Sequence, residues 1–440
     1  MAIEIIKMNI IYEKQKSERK NYCMKVSMKD VAVIKAADIQ LDGITVVAGL
    51  NGTGKTTIGK GIYAIINAYS TLHPKIIMSR KNSIRNQFVR FYIPQNDIEE
   101  GFKSSQKFME DLSNQKLSSW STEEREVVKA EITEWFNRNL KLDDNPEELI
   151  ENIVNIIKRP VEQDVKFIVD SCYQNVFDNQ INRFNSKLDA IFTAEIEDKK
   201  YSARFKNDGL VYYEYEGSDV SNAIYIESQN ILDKYDQYIN RRGSRRNMSD
   251  FSTKLFNALR VDKKEVQEDM TVEEYESRKK AMEIVNSIIS GVTHGSLEGD
   301  TSSEFVFHDE KTSHNVQIKN LSAGIKIFAV LQRLLENGSL KSGDILLIDE
   351  PEVNLHPEWQ IIFAEILVRI HKELGIIIYL NSHSPYFIRA IEVKLAKNDI
   401  GDKGKFYLTQ EVEDGLYAVK DVTYSTDEIY ELLYKPLENL

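Results

Sequence analysis

Gly49-Leu50-Asn51-Gly52-Thr53-Gly54-Lys55-Thr56, directly behind the apolar run Ile44-Thr45-Val46-Val47-Ala48, constrains this chain more than any other segment. The run has the near-continuous apolarity of a strand buried on both faces. The octapeptide satisfies in full the GxxxxGK pattern closed by Ser or Thr. From Thr56 to Ala68, Ile58, Ile62, Ile65 and Ile66 then recur at helical spacing. Strand, glycine turn and helix, in that order, let backbone N–H groups converge on phosphate oxygens at the positive end of a helix. This assigns nucleotide binding to Asn51, Gly52, Thr53, Gly54, Lys55, Thr56 and Thr57. Lys55 would reach the β and γ phosphates, and Thr56 would hold Mg²⁺.

Ile345-Leu346-Leu347-Ile348-Asp349-Glu350 is a second apolar strand, ending in two carboxylates. In an α/β sheet the carboxyl end of a strand lies beside the ligand crevice. The two acids have different work there: Asp349 takes the Mg²⁺ hydration shell, and Glu350 orients or deprotonates the attacking water. ATP and Mg²⁺ are therefore the expected cofactors, and Lys55 and Glu350 the expected catalytic side chains.

Two further motifs carry a family resemblance. Leu321-Ser322-Ala323-Gly324-Ile325-Lys326, shortly before the Asp-Glu strand, resembles the signature of ABC-type P-loop ATPases. Asn381-Ser382-His383-Ser384-Pro385, after the next strand, resembles their switch histidine. Asp349-Glu350-Pro351-Glu352 with Leu355-His356-Pro357 looks most like the non-transporter branch, related to chromosome-maintenance, overcoming-lysogenisation-defect and bacterial antiphage-defence ATPases. The resemblance covers residues 30 to 70 and 304 to 440; the helical middle is poorly covered. It implies an α/β ABC-type head with a mainly parallel sheet, an antiparallel β subdomain and a helical insertion. It also implies a homodimer or higher homo-oligomer in which Ser322 and Gly324 contact the γ phosphate held by the other subunit, while His383, a third catalytic side chain, senses that phosphate. The signature departs from the common pattern at Ala323, Ile325 and Lys326. A glutamine linking nucleotide to moving arms would be Gln229, beyond Ile224-Tyr225-Ile226, or Gln95, after Phe91-Tyr92-Ile93-Pro94, with Gln229 preferred.

The organisation follows from these anchors. Residues 1–100 and 296–440 read as the two parts of an ATPase head, 101–200 as a helical insertion, and 201–295 as a β-hairpin plus a second helical insertion. Val31-Ala32-Val33-Ile34-Lys35 reads as a strand before the Ile44 run. Ser121-Thr122-Glu123-Glu124 has the form of a capping box ahead of Val128, Ile132, Trp135 and Phe136, and Asn145-Pro146 opens the next helix. A further capping box falls at Thr271 and Glu274. Hairpins are expected at Asn207-Asp208-Gly209, between Glu304–Phe307 and Val316–Ile318, and around Asp414-Gly415, with alternating helices and strands from 323 to 392.

Composition narrows the partners. A net charge of −12 argues against nucleic-acid binding by the whole surface. Arg241-Arg242-Gly243-Ser244-Arg245-Arg246 is the one dense basic cluster, where a nucleic-acid backbone or acidic partner could dock. No apolar run approaches the ~20 residues of a membrane span, and Met1 to Lys7 lack the features of a secretory signal. A cytoplasmic protein without a membrane is expected. Cys23 and Cys172 stand far apart, so neither a disulfide framework nor a zinc site is suggested, and His308 and His314 read as an exposed loop pair. The long stretch between Lys55 and Asp349 reads as arms moved by nucleotide-driven closure. The residues after His383 are too few for a separate catalytic domain, so any nuclease or toxin-like effector is expected on another protein. A DNA-repair or chromosome-maintenance-type ATPase, a transporter subunit and a non-hydrolysing scaffold are the alternatives.

Overall fold

A computed structural model gives the fold; it describes residues 23–93, 97–140, 146–196, 198–217, 221–227, 229–235, 249–261, 272–299 and 305–435. The chain divides into two compact units, Met1–Asn67 with Cys172–Leu440, and Ala68–Ser171.

The larger unit is built on β1 (Met24–Val31), β2 (Ile34–Leu41), β3 (Ile44–Ala48), β4 (Ala190–Ile196), β5 (Lys199–Lys206), β6 (Gly209–Tyr215), β7 (Ala223–Ile226), β11 (Ile345–Asp349), β12 (Ile377–Ser382), β13 (Gly404–Glu413) and β14 (Leu416–Asp421). They form one sheet in the order β6-β5-β4-β1-β2-β14-β13-β3-β12-β11-β7. Parallel pairing holds from β13 through β3, β12 and β11 to β7, and again between β14 and β2. The other pairs, from β6 to β2 and in the β13–β14 hairpin, are antiparallel. The antiparallel subdomain thus continues the parallel sheet edge to edge, and the α/β head has the expected class. A second, antiparallel sheet holds β8 (Gly295–Glu298), β9 (Val306–Asp309) and β10 (His314–Gln317) in the order β10-β9-β8.

Among the described residues of this unit seven helices begin: α1 (Lys55–Tyr69), α8 (Asp250–Leu259), α9 (Val272–Thr293), α10 (Ala323–Glu336), α11 (Pro357–Leu374), α12 (Pro385–Lys397) and α13 (Asp427–Tyr434). Every residue of β3 and β11 is buried, as strands covered on both faces require. On one face Val46, Ile348 and Leu380 share a core with Phe328, Leu331, Phe363 and Ile388. The opposite face carries Tyr225, Tyr379 and Asn381, and α1 lies close over them. A Cβ at Gly59 would stand 3.1 Å from Asn381 Nδ2, 3.2 Å from the Tyr379 ring and 3.3 Å from the Tyr225 ring. Glycine in mid-helix costs about 1 kcal/mol against alanine, and here it lets the helix approach.

The smaller unit is helical: α2 (Leu72–Tyr92), α3 (Ile98–Asp111), α4 (Asn114–Thr122), α5 (Arg125–Asn139), α6 (Glu147–Ile157) and the first part of α7 (Val161–Phe177). Its core gathers Phe88, Phe108, Phe136, Ile150 and Ile153, with Phe88 stacked on Phe136 at 5.6 Å and Phe108 edge-on to Trp135 at 4.8 Å. Arg80 and Asp164 are both buried. Arg80 donates from Nε to Asp164 Oδ2 at 2.8 Å, from Nη1 to Ile157 O at 2.9 Å and from Nη2 to Arg159 O at 2.7 Å.

Several expectations shift. The helical unit runs from 68 to 171, earlier than 101–200, because α2 follows α1 after a break at Ser70 and Thr71, with Thr71 at φ 51°, and the strands β4 and β5 return to the main sheet. Val31-Ala32-Val33-Ile34-Lys35 is not one strand: Val31 ends β1, Ile34 and Lys35 open β2, and Ala32, at φ 47°, and Val33 turn between them. Ser121 and Thr122 do not cap a helix: their hydroxyls donate back to Ser118 O and Ser119 O within α4, and Glu124 precedes α5. Thr271 and Arg241–Arg246 lie outside the described residues. The hairpins at Asn207–Gly209 and Asp414–Gly415 are present, and β9 pairs with β10 through Val306↔Gln317.

Candidate functional site

β3, β7, β11 and β12 run parallel, so their carboxyl ends share one edge, with Asp349 opposite Asn381 and Asn381 opposite Val47. The loop Gly49–Thr56 leaves β3 at that edge. Gly54 sits at φ 87°, a conformation that strains any residue with a side chain, and a Cβ there would press on Ile34 Cδ1 at 2.4 Å. Gly49 likewise lies against Thr409 of β13. Thr53 Oγ1 donates to Leu50 O at 2.8 Å and shares a 2.7 Å bond with Thr409 Oγ1, pinning the loop to the sheet. Lys55 is buried, and its ammonium donates to Gly49 O at 2.9 Å and Leu50 O at 2.8 Å. Burial lowers the Lys55 pKa, and the carboxylates of Glu350, Asp349 and Glu352 pull it back up.

Asp349 ends β11 and is fully engaged. Oδ2 accepts from Thr56 Oγ1 at 2.7 Å and from Tyr225 OH at 3.3 Å; Oδ1 accepts from Asn381 Nδ2 at 2.9 Å. Tyr379 OH in turn donates to Asn381 Oδ1 at 2.7 Å. Burial raises the Asp349 pKa, against the opposing pull of the Thr56 and Asn381 hydrogen bonds. Glu350, the next residue, turns out of the strand at φ 47°, an uncommon conformation for a residue with a side chain. That turn separates the two acids: Asp349 faces inward, while the Glu350 side chain is 37% exposed. Glu350 Oε1 lies 3.3 Å from His383 Nδ1.

The structure therefore gathers Lys55, Thr56, Asp349, Glu350 and His383 at one sheet edge. Asn51, Gly52 and Thr57 lie in or just after the same loop. Ser322 and Gly324 are elsewhere. They open α10, with Ser322 Oγ capping Ile325 N at 3.3 Å, and line a pocket of about 530 Å³ with Ala323, Asn354, His356 and Trp359. No residue of the Gly49–Thr56 loop lines it. Lys326, in the same motif, is buried and pairs with Asp233 at 2.5 Å. Gln229 opens a short 3-10 turn after β7, at the carboxyl edge, and Gln95 lies outside the described residues.

Sequence reasoning did not single out Asn381, Tyr379, Tyr225, Thr409 or Glu352 as site residues. Tyr379 and Asn381 carried a signal: they are polar groups at i and i+2 on one face of a wholly buried strand whose other members before Ser382 are apolar. Thr56 Oγ1 and the Asp349 carboxylate, hard oxygen donors 2.7 Å apart beside a phosphate-type loop, have the chemistry that suits Mg²⁺. No helix among the described residues is long and apolar enough to cross a membrane.

Residues 155–389 match a protein-family model described as "AAA domain, putative AbiEii toxin, Type IV TA system". Among solved structures, the chain is similar to the SMC head domain from Thermotoga maritima, at 13% identity over 91% of this chain and 99% of that one, with a TM-score of 0.40. It is similar also to the Smc head domain with an extended coiled coil bound to the C-terminal domain of ScpA, derived from Pyrococcus furiosus, at 14% identity, 94% and 99% coverage and a TM-score of 0.42. The ATP-binding cassette MJ1267 of an ABC transporter, in its ADP conformation, matches at 9% identity, 94% and 96% coverage and a TM-score of 0.33.

Proposed function

The chain belongs to this AAA-domain family of P-loop ATPases, and from that premise we propose that it binds ATP in the loop Gly49–Thr56 and hydrolyses it to ADP and phosphate. The observation that carries the reading is the convergence, at one sheet edge, of a buried lysine, a hydroxyl–carboxylate pair and an exposed glutamate beside a histidine. Lys55 Nζ would exchange the carbonyls of Gly49 and Leu50 for phosphate oxygens. Thr56 and Asp349 would hold Mg²⁺, which neutralises charge on those oxygens. Glu350 takes the proton of a water whose oxygen bonds to the γ phosphorus; the bond to the bridging oxygen breaks and ADP leaves with the electron pair. His383, beside Glu350, would donate to the γ phosphate.

Ser322 and Gly324 open a pocket remote from the loop, which supports a homodimer in which each chain's α10 meets the nucleotide of the other. Nucleotide-driven closure would then move the helical unit. The toxin–antitoxin wording attached to the family, with the defence-type resemblance of Asp349–Pro357, supports a regulator in a bacterial antiphage complex acting on a separate nuclease or toxin-like effector.

Lys55→Ala should abolish Mg-ATP binding. Glu350→Gln should keep it, slow hydrolysis by ~10²- to 10³-fold, and accumulate an ATP-bound dimer by light scattering. Hydrolysis by Glu350→Gln at the parental rate would remove Glu350 from its role, and a parent with no affinity for Mg-ATP would end the reading.

A further inference from the structure

Glu352 is a buried acid that the hydrolytic reading does not use. It lies in the turn after β11 and is 4% exposed. Its Oε1 accepts three bonds, from Ser382 Oγ at 2.7 Å, His383 N at 2.9 Å and Ser384 N at 3.2 Å. Its Oε2 is buried without a hydrogen-bond partner among the described residues. His383 Nδ1 lies 3.6 Å from Glu352 Oε1 and 3.3 Å from Glu350 Oε1, and hydrogen-bonds to neither.

A carboxylate with one crowded oxygen and one empty one is costly to bury. Capping α12 does not require it, since Ser384 Oγ already accepts from Phe387 N at 3.3 Å. What Glu352 does alone is fasten the backbone at His383 to the turn that carries Glu350. A second tie runs alongside: Ser384 Oγ donates to Gln360 Oε1 at 3.0 Å, and Gln360 Nε2 donates to Leu355 O at 3.1 Å. The fastened turn, Glu350 to His356, also delivers Asn354 and His356 to the pocket of Ser322 and Gly324.

We propose that Glu352 is a positioning residue: by gripping the amides of His383 and Ser384 and the hydroxyl of Ser382, it sets the His383 imidazole against the Glu350 carboxylate. The inference rests on the ATPase reading. It concerns kcat more than nucleotide affinity: Glu352 makes no hydrogen bond to the loop Gly49–Thr56, and of the three carboxylates that act on the Lys55 ammonium its pull is the smallest.

Steady-state ATP hydrolysis by the full chain tests it, with Glu352→Ala, His383→Ala and the double variant. Misplacing a reacting group by about 1 Å costs on the order of 10²-fold, so Glu352→Ala should lower kcat by that order with KM for ATP changed less than about twofold. Because Glu352 acts through His383, the double variant should lie within about twofold of the slower single variant. Glu352→Gln keeps the accepting oxygen and should stay within about fivefold of the parent. Multiplicative losses, a rise in KM at constant kcat, or a Glu352→Gln as slow as Glu352→Ala would each overturn the proposal. If Glu352→Ala does not fold, Ser382→Ala, which removes one of three donors, should lower kcat at unchanged KM; an unchanged kcat there overturns it as well. An inactive parent would instead defeat the ATPase reading, and the two failures are distinct.

Discussion

Glu350 N donates to Asn381 O at 3.0 Å, extending the β11–β12 ladder one residue past the strand while Glu350 itself is already at φ 47°. The backbone bond and the left-handed turn together free the Glu350 side chain from the strand that buries Asp349. A non-glycine residue in this region costs on the order of 1–2 kcal/mol. Glu350→Gly should therefore be more stable than Glu350→Ala by about 1 kcal/mol in denaturant unfolding, with hydrolysis lost in both. A glycine variant no more stable than the alanine one would show that the turn is not strained.

Arg80 places three donors on Asp164, Ile157 O and Arg159 O inside the helical unit. Asp164 also pairs with the part-exposed Arg159, so removing Arg80 leaves its charge partly compensated and two buried carbonyls without their donor, at about 3 kcal/mol, the low end for a broken buried pair. Arg80→Ala should lose that much and expose residues 68–171 to protease. Arg80→Lys should recover little of it, because an ammonium cannot reproduce the planar fork. A loss of less than about 1 kcal/mol in Arg80→Ala would be the contrary result.

Tyr407, on β13, accepts Gln40 N through its phenol oxygen at 2.9 Å, and burial pushes its pKa up from 10.0 to about 12. The folded chain holds this proton where the unfolded chain has released it. The contribution is thus full below pH 10 and is lost as pH rises to about 12. Tyr407→Phe leaves the Gln40 amide unpaired and should be the less stable protein at pH 8. Its deficit should shrink across the alkaline window in matched thermal melts; a deficit constant with pH would contradict the assignment.

Much of the head was legible because its signals are local. Apolar runs gave β3 and β11, glycines the phosphate-type loop, and serine-before-apolar the start of α10. Ser384-Pro385, inside the switch motif, also starts α12 as cap and first residue. The losses have equally physical causes. Val31–Lys35 is apolar across a turn whose positive φ falls on Asp30 and Ala32, without the glycine or asparagine that usually marks one. Ser121-Thr122-Glu123-Glu124 fits a capping box by composition, but those hydroxyls satisfy carbonyls at the end of the helix before it. Asn381 and Glu352 acquire roles only through partners about thirty positions away, which a single-strand pattern does not reveal. The 68–171 boundary falls inside continuous helix, where composition does not change.

The strand that presents the Gly49–Thr56 loop finds its neighbours very late in synthesis. Ile44 pairs with Ile378 and Gly404, and Thr53 bonds Thr409 across 356 positions. A nascent chain emerging from the ribosome would carry the complete loop motif for most of translation with no sheet to seat it, its apolar strand exposed. Such long-range pairing folds slowly and invites aggregation, so a chain truncated before β12 would keep the motif and lose the site.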